Sequence, residues 1–87
     1  MYLGRVIGNV VSTIKHEDLK GHKLLLVEKL DEHLNGTGGT LVASDGIGAG
    51  NGEIVLYCTG GSARYIWGGH SPSDVCIVGV VESVEVN

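Results

Sequence analysis

A glycine-rich loop runs directly into an apolar, β-branched stretch in the segment Asp45-Gly46-Ile47-Gly48-Ala49-Gly50-Asn51-Gly52-Glu53-Ile54-Val55-Leu56-Tyr57-Cys58. Glycine occupies every second position from 46 to 52, a spacing that indicates a loop in need of backbone freedom. The run from Glu53 to Cys58 has the composition of a strand and is followed by Gly60-Gly61. The pattern predicts strands separated by tight turns with few side chains.

The sequence predicts four more strands, at residues 2–14, 23–30, 40–43 and 75–86. In the first, the even-numbered residues form the more apolar or smaller face, and Gly4 and Gly8 on that face permit a bend or a close backbone contact. Residues 23–30 could be helical by composition, but the run is short and lacks convincing caps. It is therefore interpreted as a strand.

Polar and glycine-rich segments separate these strands. Residues 15–22 are expected to form a loop, and Asn35-Gly36 and Gly38-Gly39 mark the tip of a hairpin. Ser62 is expected to cap one short helical turn that reaches Ile66. Five strands and no substantial helix predict an all-β fold, a small closed or partly open five-stranded barrel, because closure removes sheet edges that would otherwise aggregate.

Length and composition limit the classes of protein to which the chain can belong. The 87 residues are expected to form a single domain over residues 1–87, and 27 Leu, Ile and Val residues argue against disorder. A formal charge of −4 without any basic cluster predicts no nucleic-acid and no membrane partner. No apolar run approaches the length of a membrane span and the first residues do not resemble a signal peptide, so a cytoplasmic location is expected.

The cysteines and histidines suggest no metal or cofactor site. Cys58 and Cys76 lie 18 residues apart with no CxxC pair, and both are interpreted as small buried apolar residues. The four histidines are scattered through polar stretches without ligand spacing. Neither a metal nor another cofactor is predicted.

The sequence offers no convincing catalytic set. The glycine loop leads into β-branched residues instead of a helix, so it does not match a dinucleotide fingerprint. Ser62, Arg64, His70 and Asp74 lie within thirteen residues, but they have no recognised catalytic spacing. Glu53 is interpreted as an ion-pair partner at a turn or between subunits, with Arg64 one candidate across a hairpin. The chain is not expected to be an enzyme.

Small size favours self-association. Ordering 87 residues costs on the order of 130 kcal/mol, which a core of this size barely offsets. Without a disulfide framework or a metal, identical neighbours are the remaining common source of stability. Glycine-rich loops at one end of a barrel would come together if the subunits closed in a ring.

The chain resembles the bacterial microcompartment vertex proteins, the small pentameric shell subunits of carboxysomes and of ethanolamine-utilisation and related compartments. Four motifs in order along the chain carry the resemblance: Gly8-Asn9-Val10-Val11-Ser12-Thr13-Ile14-Lys15 with Leu19, Gly21 and the run at 23–27; Asp45 to Val55; Gly61-Ser62-Ala63-Arg64; and Pro72 with Asp74 followed by Ile77-Val78-Gly79-Val80-Val81-Glu82-Ser83-Val84. Gly46, Gly61 and Glu82 depart from the residues more common in that family.

The resemblance implies a barrel related to the oligonucleotide-binding fold, assembled as a homopentamer that caps the vertices of the shell beside hexameric shell proteins. It implies no catalysis, and it implies a location in a microcompartment shell within the cytoplasm. By carry-over, the candidates near the ring axis are Gly48, Ala49, Gly50 and Asn51. The candidates for subunit contacts are Lys15, Glu53, Ser62, Ala63 and Arg64.

Two other functions share parts of this pattern. An oligonucleotide-binding-like barrel could bind a small ligand or single-stranded nucleic acid, although the chain lacks a basic face. A minor enzyme that uses Ser62, Arg64 and His70 is a third interpretation.

Overall fold

The computed structural model describes residues 1–13, 17–19, 21–66 and 73–87, and for Asp18, Ser62, Arg64 and Ile66 it describes the backbone alone. The elements in chain order are β1 (Tyr2–Val10), a 3₁₀ turn (Glu17–Leu19), β2 (Lys23–Leu30), β3 (Gly36–Asp45), β4 (Ile54–Thr59), α1 (Gly61–Ile66) and β5 (Val75–Val80).

The strands form a closed barrel in the order β1-β2-β3-β5-β4. All neighbours are antiparallel except β3 and β5, which pair in parallel only at Ser44 with Cys76 and at Asp45 with Ile77. The predicted all-β, five-stranded barrel with one short helical turn is confirmed. Its weakest seam is the short parallel contact between β3 and β5.

Gly4 lies where β1 pairs with two strands at once. It is opposite Lys29 of β2 and also opposite Val55 of β4. A Cβ atom at this position would collide with the Val27 side chain and would lie 3.1 Å from both the Glu28 carbonyl oxygen and Tyr57 Cε1. The bare backbone therefore lets β1 pass close to the core while both of its edges are paired.

The core is small and mainly aliphatic. Even-numbered residues of β1 point inward over the stretch that includes Gly4 and Val6, as the sequence pattern predicts. The main buried cluster consists of Val6, Leu25, Val27, Ala43, Ala49, Val55, Tyr57 and Ile77. A second cluster of Cys58, Ala63 and Cys76 joins α1 to β4 and β5, and it confirms both cysteines as buried, free thiols.

Several strand boundaries differ from the prediction, by one or two residues at the end of β3 and at both ends of β4, and by more at the end of β1, the start of β3 and the end of β5. β1 ends at Val10 instead of 14, and β3 begins at Gly36 instead of 40. The earlier start of β3 follows from a compact turn in which the Asp31 carboxylate accepts hydrogen bonds from the N–H groups of His33 and Asn35 at 2.9 and 3.0 Å. This turn returns the chain to β2 before the glycines at 36, 38 and 39 are reached.

The last strand is shorter than predicted. β5 ends at Val80, and the N–H of Val81 makes one further hydrogen bond, at 2.8 Å, to the carbonyl of Ile54. Because β4 begins at Ile54, its ladder offers residues beyond Val81 no partner. The predicted continuation of the strand to residue 86 is therefore wrong within this chain.

Ser62 is also placed differently from the prediction. Helix α1 begins at Gly61, and the N–H of Ala63 bonds to the Gly60 carbonyl at 3.1 Å. Gly60 has a φ of +69°, a conformation that glycine adopts at little cost. Ser62 therefore lies inside the first turn of the helix instead of preceding it as a cap.

Gly4→Ala should destabilise the barrel by about 1–3 kcal/mol, because the added methyl group overlaps the Val27 side chain. Gly8→Ala is the matched control, since a Cβ there meets only Leu26 Cβ at 3.9 Å. Thermal unfolding at one fixed protein concentration compares the two variants. Equal transition temperatures for both would contradict the proposed role of Gly4.

Candidate assembly interface

The glycine loop is organised by one buried carboxylate. Asp45 is 5% exposed, and its Oδ1 accepts hydrogen bonds from the N–H groups of Ile47 at 3.0 Å and Gly48 at 3.3 Å. Its Oδ2 accepts the N–H of Ala49 at 2.8 Å. Three backbone donors thus converge on a single side chain, as in an extended Asx turn, and give the loop a defined shape.

Further contacts hold the loop against the start of the barrel. Lys23 Nζ donates to the Ala49 carbonyl at 3.2 Å, and the Glu53 carboxylate accepts the N–H of Gly50. The N–H of Gly52 bonds to the Val6 carbonyl at 2.7 Å. The loop is therefore tied to β1 and β2 as well as to its own residues.

The expected need for backbone freedom is confirmed at two positions of the loop. Gly48 and Gly52 have φ angles of +89° and +86°, in the region that favours glycine. These two glycines are required by the fold of the single chain. Crowding between subunits is therefore not needed to explain them.

The four candidates for the ring axis differ in exposure. Ala49 is fully buried, and its methyl group packs in the core with Val6 and Leu25. Gly50 is half-buried and Asn51 is exposed. Of the side chains in this set, Asn51 is available for contact with another molecule, whereas Ala49 belongs to the interior of its own chain.

The candidates for subunit contacts are only partly described. Ala63 is buried and packs on Cys58 and Cys76, so its methyl group also serves the core of its own chain. Glu53 is exposed, and its described contact is with the loop. Lys15 and the side chains of Ser62 and Arg64 lie outside the described residues, as does His70, so the suggested pair between Glu53 and Arg64 stays a prediction.

A cavity opens at the end of the barrel where β1 begins and β2 and β4 end. It has a volume of about 270 Å³ and is lined by Tyr2, Lys29, Leu41, Tyr57 and Thr59. The Tyr2 and Tyr57 rings stack with their centroids 5.4 Å apart. Burial raises the pKa of the Tyr57 hydroxyl above its ordinary value of 10.0, and the neighbouring Tyr2 adds to the increase. Both effects favour the neutral phenol.

The outer surface of the sheet carries exposed apolar side chains. Val42 is 44% exposed and is paired across the strands with Leu26, which in turn faces Gly8 on β1. Ile7 is 42% exposed on the same part of β1. Such a surface is typical of a protein that packs against other molecules.

The described residues contain neither a metal-binding cluster nor a membrane-spanning helix. Within residues 1–13, 17–19, 21–66 and 73–87, His, Cys, Asp and Glu side chains nowhere form a group of three that could hold a metal ion. Nor does any helix among these residues have the length and apolar character needed to cross a membrane.

Comparison with known proteins identifies the family. Residues 1–82 match the family described as "Ethanolamine utilisation protein EutN/carboxysome". The chain belongs to this family. It is 55% identical over 86 residues to the bacterial microcompartment shell vertex protein GrpN of Rhodospirillum rubrum. This match covers 98% of this chain and 97% of the relative. It is 45% identical over 85 residues to the vertex protein EutN of Escherichia coli, at 97% and 90% coverage.

Solved structures agree with the sequence relatives. The structure described as the GrpN pentameric microcompartment shell protein from Rhodospirillum rubrum superposes with a TM-score of 0.94 at 53% identity and covers 100% of both chains. CcmL of Gloeobacter violaceus gives a TM-score of 0.95 at 38% identity, over 100% of this chain and 91% of CcmL. The resemblance predicted from four motifs is thus confirmed, and a shell vertex function is favoured over a ligand-binding barrel.

The roles of Asp45 and Lys23 were not predicted from the sequence. Both residues lie in quoted segments, but their contacts with residues 47–49 depend on how the loop folds back over β1 and β2. The pair Asp45-Gly46 was the available signal, because Asp before Gly commonly bonds to backbone N–H groups in a turn.

Asp45→Asn should destabilise the loop and the barrel, by about 1–3 kcal/mol, because an amide offers one acceptor oxygen where the carboxylate uses two. Asp74→Asn, the same change at an exposed position, is the control. Urea unfolding and amide hydrogen exchange at residues 47–49 measure the effect. Unchanged exchange at Ala49 in Asp45→Asn would contradict the assigned role.

Proposed function

We propose that this chain is a structural subunit that closes into a homopentamer and caps the vertices of a bacterial microcompartment shell. The observation that carries the proposal is the likeness to GrpN, a protein described as a pentameric shell protein, over the whole length of both chains. A second neighbour at 34% identity is described as the pentameric shell protein MSM0273 from the RMM microcompartment, with a TM-score of 0.86. We propose no catalytic role.

The surface of the single barrel supports assembly on physical grounds. Exposed Ile7, Val42 and Val80 leave apolar area in water, and burial of such area against a neighbour is favourable by about 25 cal/mol per Å². In a cyclic ring each subunit contributes two different surfaces, one to each neighbour. A small barrel with a limited core gains stability from this contact.

The position of the ring in the shell is part of the same proposal. Flat layers of six-fold tiles curve into a closed polyhedron where five-fold units replace them, so a pentamer would contact hexameric shell proteins along its outer edges. A net charge of −4 per chain gives the ring an acidic total of about −20, which is best accommodated on solvent-facing surfaces. We expect the protein to be located in the compartment shell.

Native mass spectrometry should give a closed assembly of about 45 kDa, five times the 9.1 kDa chain. The reason is that two different surfaces on each subunit close at a fixed number of copies instead of forming an open chain. Light scattering at micromolar concentration provides an independent mass. A stable monomer at that concentration would rule out the proposed ring.

Asn51→Trp should weaken the pentamer if residues 48–51 approach the ring axis, because five indole rings would then crowd one point. Asn51 is exposed and has no positive φ, so the protomer itself should accept the change. Glu32→Trp, at an exposed position in the β2–β3 turn, is the control. Pentamer dissociation constants that are equal for both variants and the wild type would place the loop away from the axis.

A further inference from the structure

One edge of the barrel is open along most of β3. On one side β3 pairs with β2 from Leu30 to Lys23, but on the other side it pairs with β5 only at Ser44 and Asp45. On that second side, the stretch from 36 to 43 therefore has no strand beside it among the described residues. Most of this stretch is exposed, and it contains neither a charge nor a proline. Such an edge is a ready template for another strand.

The cavity at the barrel mouth lies beside this open edge. Leu41 belongs both to the open stretch of β3 and to the cavity wall, which also contains Tyr2 and Tyr57. Lys29 stands at the rim, with its Nζ 3.7 Å from the place that a Cβ on Gly39 would occupy. A strand added to β3 would therefore direct alternate side chains into an apolar recess with a lysine at its border.

The last residues of the chain have a strand sequence without a strand partner. Residues 82–87 read Glu-Ser-Val-Glu-Val-Asn and make no backbone hydrogen bond within the described part of the structure. In an extended conformation Val84 and Val86 share one face, while Ser83 and Glu85 lie on the other. Val86 is 53% exposed although valine favours paired strands.

This C-terminal segment runs away from the open edge of its own barrel. β5 is parallel to β3, and Ile77 is level with Asp45, the last residue of β3. Residues beyond Ile77 therefore continue past the end of β3, whereas the open stretch lies in the opposite direction. The open edge is thus better placed to receive the C-terminal segment of another copy.

We propose that residues 82–87 of one subunit bind as an added strand along residues 36–43 of β3 in the neighbouring subunit, with Val84 and Val86 in the barrel-mouth cavity. Charge supports this occupant, because the segment carries Glu82 and Glu85 and no cation, while Lys29 borders the recess. Glu28, which also lies near the start of β3, is paired with Arg5 at 3.4 Å. The proposal rests on the proposed ring, since it supplies a contact of two different surfaces, the kind that closes a ring.

Cysteine crosslinking tests the placement directly. Lys29→Cys and Val86→Cys are produced as single variants and as a double variant, and both native cysteines are buried. Under oxidising conditions the double variant should give a ladder of covalent oligomers up to five subunits on a non-reducing gel. The two single variants produced together should give crosslinked dimers between one chain of each kind, and each single variant alone should give none.

Two crosslinking results would overturn the proposal. A double variant that crosslinks only within single chains would place the segment on its own barrel. A double variant that forms a pentamer under reducing conditions but does not crosslink on oxidation would place residue 86 away from the cavity. Both results would leave the pentamer itself intact as a conclusion.

A pair of aspartate variants provides the energetic test. Val86→Asp introduces a carboxylate on the face assigned to the cavity, and Ser83→Asp introduces the same group on the opposite face. Both positions are exposed in the single chain, so neither change should disturb its fold. Val86→Asp should raise the concentration at which the pentamer dissociates by about tenfold or more, with little change for Ser83→Asp. Equal dissociation of both variants and the wild type overturns this proposal, whereas a wild-type monomer overturns the proposed function.

Discussion

The structure depends on the pairing of β1 with two strands at once. Through residues 3–5 this strand bonds to β2 on one side and β4 on the other, and that double pairing turns a sheet into a barrel. Gly4 makes the arrangement possible, because a side chain there would enter the space that Val27 and Tyr57 occupy. The small aliphatic core follows from this close passage, since strands drawn so near to one another leave room for few side chains.

The two ends of the barrel differ in what fills them. Where β4 begins, the loop held by Asp45 folds over the core and inserts Ala49, so that end is filled by the chain itself. Where β4 ends, the stacked rings of Tyr2 and Tyr57 border an unfilled recess. The short parallel seam between β3 and β5 belongs to the same asymmetry, because β5 begins at Val75, level with the end of β3, and does not run along the part of β3 that borders the recess.

The sequence patterns predicted the strands whose formation depends on the conformational preferences of neighbouring residues. The run Lys23–Leu30 was predicted with its observed bounds, because it is short and poorly capped for a helix and polar segments flank it. The end of β5 was missed because a strand needs a partner as well as β-branched residues, and β4 supplies none beyond Ile54. The function of Asp45 was missed for a related reason, since its role is visible only after the loop has folded back.

The residues that follow β5 bear on how copies of the chain pack together. Residues 81–86 have the alternation and composition of a strand, yet among the described residues of the chain they pair only at Val81. Natural β-proteins protect long edges with charges, prolines or short strands, and the stretch 36–43 of β3 has none of these. In an isolated chain, the unpaired strand segment and the unprotected edge both leave backbone hydrogen-bonding groups without strand partners. Pairing the segment of one copy with the edge of another gives both of them partners. In a barrel that closes on so small a core, we therefore interpret these two features as the parts of the chain that are completed by assembly.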